Sequence, residues 1–396
     1  MRANGKRPSG TCVLQRLSVC GVLLLLGCQG PPKSAPVETL SARNDEHVRL
    51  FGDFELPRKI GSIENVGLQI PAVSPDGHEI LYLRTDAEAL APMTLLGSPE
   101  PQDTPAERAL TLWIRPLAGS VEGRPASTSR WAHSPVWSDS GRAFAYVVNL
   151  PPKSMIVHVD LASDGKEQML GVRDAINCLP RFCGDDHTLL FCSGPKATEP
   201  FRICRQSIGD AEPVPLTPEG ADCVLPLLAE GTRNVLCART EADHLNWVIG
   251  GPDGITDLVA ECGSAERPAF LQTWGGICSP LSPDRQSFLF YDNTQNRIGI
   301  WHHKERRLLR HRPRSIAACW LTNDAIALAT AEDVFAVNTV TGMSLTLFNG
   351  SWIPCRYIAS EQRLILLGRD TRQRLSIYEI VFRPRGPRAN RESGTK

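Results

Sequence analysis

The feature that most constrains this chain is a five-residue turn, Val73-Ser74-Pro75-Asp76-Gly77, set between an apolar run ending at Val73 and a second run, Ile80-Leu81-Tyr82-Leu83. Proline presets φ for the first corner of a tight turn, aspartate accepts hydrogen bonds from nearby backbone, and glycine takes positive φ at no steric cost. The turn therefore closes a hairpin. Altered copies recur: Ser134-Pro135-Val136-Trp137-Ser138-Asp139-Ser140-Gly141, Leu281-Ser282-Pro283-Asp284-Arg285, and more faintly Trp320-Leu321-Thr322-Asn323-Asp324. A turn that repeats marks scaffold rather than a site.

Taking Ser74, Ser138, Cys183, Ala229, Ser282, Thr322 and Ser360 as equivalent positions, the spacings are 64, 45, 46, 53, 40 and 38. The long first interval contains an insertion, Ala87 to Ala109, rich in Pro, Ala and Glu. Each unit carries an apolar run, a polar turn, a second run, a variable connection and an alternating third run, and often a further Gly or Asp turn into a fourth. Leu112-Trp113-Ile114-Arg115-Pro116-Leu117, Ile156-Val157-His158-Val159-Asp160 and Val334-Phe335-Ala336-Val337-Asn338 are third runs of β type. Few windows hold a helical stripe.

Four short strands every 40 to 50 residues are the signature of β-propeller blades. The expected fold is an all-β, seven-bladed propeller of four-stranded blades over residues 47–382, with six or eight blades as the alternatives. Ser74-Pro75-Asp76-Gly77 followed by Ile80-Leu81-Tyr82, together with Pro135-Val136-Trp137-Ser138, resembles the WD40-like repeats of TolB-type propellers across residues 55–382. Unit seven shows three clear runs, so the segment around Val48 to Leu56 is expected to supply its outer strand. That strand would join the two ends of the chain and remove an exposed edge.

The N-terminus reads as an address. Arg2, Lys6, Arg7 and Arg16 precede the apolar stretch Val22 to Leu26, which is too short to span a bilayer. The ending Leu25-Leu26-Gly27-Cys28 resembles the lipobox of bacterial lipoproteins, which implies cleavage after residue 27 and a lipid on Cys28. Gln29 follows, where that resemblance would place aspartate in an inner-membrane lipoprotein, so an outer-membrane anchor facing the periplasm or cell surface is expected. Residues 28–46 form a polar, Pro- and Ser-rich tether, and residues 383–396 a basic disordered tail. The chain has 43 basic and 43 acidic residues; losing residues 1–27 removes four basic and no acidic ones and leaves a net charge of −4. That balance gives no case for nucleic acid.

Thirteen cysteines suit an oxidising compartment. Cys12 and Cys20 leave with the leader and Cys28 takes lipid. The ten that remain are Cys178, Cys183, Cys192, Cys204, Cys223, Cys237, Cys262, Cys278, Cys319 and Cys355. Cys178/Cys192 and Cys223/Cys237 each straddle a first turn at a separation of 14 residues, so bonds across strands or between blades are both open, beside the alternative of buried free thiols. No Cys-x-x-Cys spacing occurs. His302 and His303 point to opposite faces of a strand and cannot share a metal. His133, just before the second marker, approaches either the channel or the packed interior, with packing or hydrogen bonding expected over catalysis. The basic run Lys304 to Arg314 is expected to be a solvated outer hairpin, with an anionic glycolipid or cell-wall polymer as the alternative contact.

Catalytic signatures are missing. There is no Gly-x-Ser-x-Gly elbow, no Walker loop and no His-Glu-x-x-His run. Ser138-Asp139-Ser140-Gly141 looks like the start of a sialidase Asp-box without its Thr-Trp ending. The expectation is a monomeric, lipid-anchored, non-catalytic envelope scaffold that uses no cofactor or metal and binds a protein or glycan through loops, the Ala87 to Ala109 insertion foremost. The rivals are an envelope enzyme of polysaccharide lyase or hydrolase type with its site in the central channel, and a purely structural assembly module.

Overall fold

The computed structural model describes residues 53–64, 70–85, 110–127, 129, 131–231, 233–242, 244–259, 276–277, 279–292, 297–302, 307–313, 315–369 and 374–383. Within them the turn chemistry is visible at atomic scale. The buried Ser74 hydroxyl donates to Asp76 Oδ1 at 2.6 Å and accepts the Glu79 amide at 2.9 Å, while Asp76 Oδ1 also accepts the His78 amide at 3.0 Å. Ser282 repeats the arrangement with Asp284 Oδ1 at 2.7 Å and the Ser287 amide at 2.9 Å. Ser138 accepts the Ala143 amide at 3.1 Å. The serine thus satisfies backbone groups that the hairpin would otherwise bury unpaired.

The strands run in order along the chain. Two precede the first marker, β1 (Asp53–Phe54) and β2 (Arg58–Ile63). An antiparallel meander follows, β3 (Ala72–Val73), β4 (Glu79–Thr85), β5 (Leu110–Pro116) and β6 (Arg124–Pro125). The second unit is β7 (Ala132–Trp137), β8 (Ala143–Leu150), β9 (Lys153–Asp160) and β10 (Lys166–Leu170). The third is β11 (Ile176–Phe182), β12 (Thr188–Gly194), β13 (Arg202–Ser207) and β14 (Val214–Pro215). The fourth is β15 (Cys223–Glu230), β16 (Asn234–Glu241), β17 (His244–Gly251) and β18 (Gly254–Val259). After β19 (Gly276–Ile277) come β20 (Ser287–Asp292), β21 (Arg297–His302) and β22 (Arg307–Pro313). The sixth unit is β23 (Ala317–Thr322), β24 (Ala325–Ala329), β25 (Asp333–Asn338) and β26 (Ser344–Asn349). The last is β27 (Trp352–Ile358), β28 (Arg363–Arg369) and β29 (Leu375–Arg383).

Consecutive strands from β3 to β6, within each later unit and from β20 to β22 pair antiparallel, β19 runs parallel beside β23, and units two and three merge into one eight-stranded sheet because β11 runs parallel beside β9 at Ile176 and Ser154. Asn177 makes that junction. Fully buried, it donates its amide to the Ser154 carbonyl at 2.7 Å and the Val172 carbonyl at 3.0 Å, and its Oδ1 accepts the Val172 amide at 3.0 Å.

Apolar faces meet between successive sheets. Leu81, Leu83 and Ile114 pack on Trp137, Phe144 and Tyr146. Ala145, Val147 and Ile156 pack on Leu189 and Phe191. The core between units three and four continues through Trp247 to Phe288 and Phe290. Leu289 and Ile300 then meet Trp320 and Ile326, and Cys319 and Ala327 meet Leu364 and Leu366. The final interface joins last to first: Ile63, Val73, Ile80 and Tyr82 lie against Ile358, Ile365, Leu367 and Ile377. First strands also touch, β3 with β7, β7 with β11, β11 with β15, β23 with β27, and β27 with β3. The molecule is all-β with a propeller-like arrangement.

Two tryptophans lock neighbouring units in the same way. Trp137 Nε1 donates to the Ala72 carbonyl at 2.9 Å, and Trp320 Nε1 donates to the Pro280 carbonyl at 3.0 Å. The chain ends pair over a longer stretch than expected. Asp53 and Phe54 of β1 face Arg383 and Phe382, while most of the pairing comes from β2, in which Arg58 faces Glu379 and Ile63 faces Leu375. Within the expected segment of Val48 to Leu56, of which residues 48–52 lie outside the described residues, β1 does pair with β29, and β2 extends the pairing beyond it, anchored by the ion pair from Arg58 to the buried Glu379, which Arg363 also contacts at 3.1 Å.

Candidate functional site

In a propeller-like arrangement the first strand of each sheet lies next to the axis, and here those strands share a device. Ser134, Leu179 and Leu225 adopt left-handed backbone, φ 51°, 54° and 52°, and each precedes a proline: Pro135, Pro180 and Pro226. Bulges fall at the same places, between His133 and Val136, Cys178 and Arg181, and Val224 and Leu228. A proline donates no hydrogen bond and sits without loss on an edge strand, and a bulge bends that strand away from pairing. The edges of β7 and β15 are thus blunted against further strand addition, while β11, which carries the same device, pairs with β9 at Ile176, before its bulge. The signal was present in the sequence as an Xaa-Pro pair in successive first runs, but reading the prolines only as turn residues missed it.

Three buried histidines belong to the walls. His133 is buried, with Nδ1 3.0 Å from Ser134 Oγ and Nε2 3.1 Å from Asn149 Oδ1. A neutral ring with its proton on Nε2 satisfies both contacts. Burial pushes His133 down to about 4, and the bond to Asn149 offsets only part of that. His158 Nε2 lies 2.7 Å from the Asp186 carbonyl, its ring edge-on to Phe182, and burial holds it below the ordinary histidine range. His302 is buried with Nδ1 2.7 Å from Ser287 Oγ; His303 lies outside the described residues. Among the described residues no three His, Cys, Asp or Glu side chains are grouped as ligands for a metal.

On the face formed by the marker turns, Arg285 stands where the first two markers have glycine. Its φ of +58° matches +71° at Gly77 and +75° at Gly141. Its guanidinium pairs with Asp139 of the second marker, and lies so near Gly184 of the third unit that a Cβ there would fall 2.5 Å from Nη1. Ser140, in the segment that looked like an Asp-box, donates to Asp186 Oδ1 at 2.5 Å. These residues tie turns of different units together. Beside Arg285 is a cleft of about 310 Å³ walled by Leu228, Leu236, Leu281 and Phe288.

Among the eight described cysteines no two are joined by a disulfide. Burial pushes Cys183 up to about 12 and Cys204 to about 11, which leaves neither a nucleophile near neutral pH. Of the basic run, residues 307–313 form the outer strand β22 against β21. Cys28, the insertion from Ala87 to Ala109, Cys262, Cys278 and residues 384–396 lie outside the described residues, and among those that are described no helix is long and apolar enough to cross a membrane.

No known protein family matches the sequence, and no curated protein does. Among solved structures, an oligogalacturonate lyase in complex with manganese superposes with a TM-score of 0.53 at 11% identity, over 82% of this chain and 91% of its own. The oligogalacturonate lyase of Vibrio parahaemolyticus gives 0.53 at 12% identity, over 82% and 98%. The likeness is one of fold. TolB from Acinetobacter baumannii matches at 16% identity with a TM-score of 0.43 over 64% of this chain, which spans 55% of the length of that TolB.

Proposed function

We propose that this chain is a lipid-anchored, non-catalytic binding scaffold of the bacterial envelope, monomeric, built as a ring of seven blades and held to the membrane through Cys28. Its partner is an envelope protein or glycan, met by loops on a rigid frame. The observation that carries the reading is the placement of the acid-base side chains. His133 and His158 are hydrogen-bonded into the walls with their proton affinity lowered, while the bulged positions on the axial strands are taken by Ser134, Leu179, Leu225 and their prolines. A rigid, proline-edged ring suits recognition, which needs a fixed frame more than a reactive group.

The oligogalacturonate lyases that share the fold define the opposing outcome. Purified protein is incubated with oligogalacturonides and manganese, and unsaturated products are followed by absorbance. The expected result is no turnover, together with recovery of the protein in the membrane fraction of producing cells and release of a Cys28→Ala variant to the soluble fraction. Elimination products formed in proportion to the protein added would overturn the scaffold reading in favour of an enzyme. A Cys28→Ala variant that stays with the membrane would remove the anchor.

A further inference from the structure

The interface between units three and four holds four thiols in one apolar core. Cys178, Cys192, Cys223 and Cys237 are all buried there, among Leu190, Ile203, Val224 and Trp247. Their placement is pairwise. Cys178 on β11 and Cys192 on β12 are direct partners in the antiparallel register, so their side chains leave the sheet on the same face. On β15 and β16 Cys223 faces Arg239, which puts Cys237 two residues along the same strand, on the same face and diagonal to Cys223. Burial and the neighbouring Cys178 raise the Cys192 thiol, and the neighbouring Cys237 lowers the Cys223 thiol, so the two sulfurs of each pair are neighbours. Free thiols are good small core residues, so burial alone would not call for a bond. Two cross-strand pairs, one on each of two successive units and both turned into the single core between them, are a different matter.

We propose that these four cysteines are a modification site, two cross-strand disulfides with the connectivity Cys178–Cys192 and Cys223–Cys237, each cross-linking the first and second strands of its own unit. The inference rests on the strand register and not on the envelope reading. In each case a thiolate attacks the disulfide of a small oxidant such as oxidised glutathione. The mixed disulfide that forms is then attacked by the partner thiolate. The protein loses two electrons and two protons, and the oxidant leaves as two thiols. Because all four sulfurs are sealed in the core, oxidation precedes final packing or uses transient opening, and the finished bonds are shielded from reductant.

The test uses the full-length chain, unfolded in reductant and refolded in a mixture of oxidised and reduced glutathione, beside a folded sample exposed to oxidised glutathione alone. Remaining thiols are alkylated and the protein is digested without reduction. The expected result after refolding is peptides joining Cys178 to Cys192 and Cys223 to Cys237, and a mass about 4 Da below the reduced chain. The oxidised chain should also unfold at higher urea than the same sample kept in reductant. Cross-links that join the units, such as Cys192 to Cys237, would overturn the connectivity. Alkylation of all four sulfurs in both samples would overturn the site and leave four buried free thiols. A membrane-anchored protein with free thiols, or an unanchored one with both bonds, would separate this inference from the proposed function.

Discussion

At Arg285 two small terms oppose each other. A non-glycine residue in left-handed backbone costs on the order of 1 kcal/mol, and an ion pair between exposed side chains contributes about 0–1 kcal/mol. The Arg285 and Asp139 side chains are 40% and 58% exposed. Arg285→Gly should therefore leave stability within about 0.5 kcal/mol of wild type, and should raise it by about 1 kcal/mol in an Asp139→Asn background where the pair is already gone. Urea denaturation of the four chains of the cycle reads both values, and a loss above about 2 kcal/mol for the single variant would show that the contact carries far more than an exposed pair does. His133 gives a pH signature. The unfolded chain takes a proton near 6.5, while the folded chain resists it until about 4. Stability is therefore complete above pH 6.5 and falls as the pH drops toward 4, by about 3 kcal/mol for this group. A His133→Gln variant keeps a polar partner for Asn149 and has nothing to titrate. The wild-type minus variant difference in unfolding free energy should shrink over that window, and a difference constant from pH 7 to 4 would contradict a buried neutral ring.

At the scale of the element, the closing strand decides whether the two chain ends hold together. Removing β1 and β2 strips Ile63 from the core it shares with Leu375 and Ile377 and leaves β29 as an open edge. It also removes Arg58 from Glu379, a buried carboxylate that burial pushes up but that bonds from Arg58 and Arg363 pull further down, below its ordinary value. A chain starting at Val66 should lose on the order of 5 kcal/mol, from two or three buried apolar side chains plus the ladder and the ion pair. Glu379→Gln, which weakens only the charged contacts, should lose about 2 kcal/mol at neutral pH, and less as the pH falls below the ordinary 4.5, where the unfolded carboxylate takes a proton that the folded one, held lower, still resists. Urea unfolding at pH 7 and pH 3 measures both, and undiminished stability of the Val66 chain would exclude closure by these strands. The sequence showed that a strand was needed and at which end of the chain. It hid β2, the longer part of the closure, because Arg58-Lys59 at its start resembles a solvated loop, and the acid it meets lies 321 residues away. The marker turns were legible for the opposite reason, since every bond Ser74 makes stays within five residues. The axial bulges fell between these cases. Their prolines are local, but the meaning of an edge depends on which strand lies innermost.

For the whole molecule, the consequence of joining last to first is cooperativity. An open stack of repeats contacts only its neighbours and can fray from either end. Here each sheet packs on the next, one core runs continuously from unit three through unit four to Phe288 and Phe290, and Ile358 and Ile365 return to Val73 and Ile80. Among the described residues no sheet is left as a free terminus from which unfolding could start at low cost. Tryptophans report from four interfaces: Trp137 between units one and two, Trp247 between four and five, Trp320 between five and six, and Trp352 near the last. Fluorescence from these positions and far-ultraviolet dichroism of the strands should therefore fall together in urea, with one midpoint. The Val66 chain, opened at β29, should lose that coincidence, with fluorescence and dichroism separating as the sheets next to the gap give way first. Separate midpoints in the intact chain would mean that the packing of last on first is too weak to couple the ring. A binding frame assembled from independently unfolding sheets could not hold its loops in fixed register, so the same titration bears on whether a rigid scaffold is what this sequence builds.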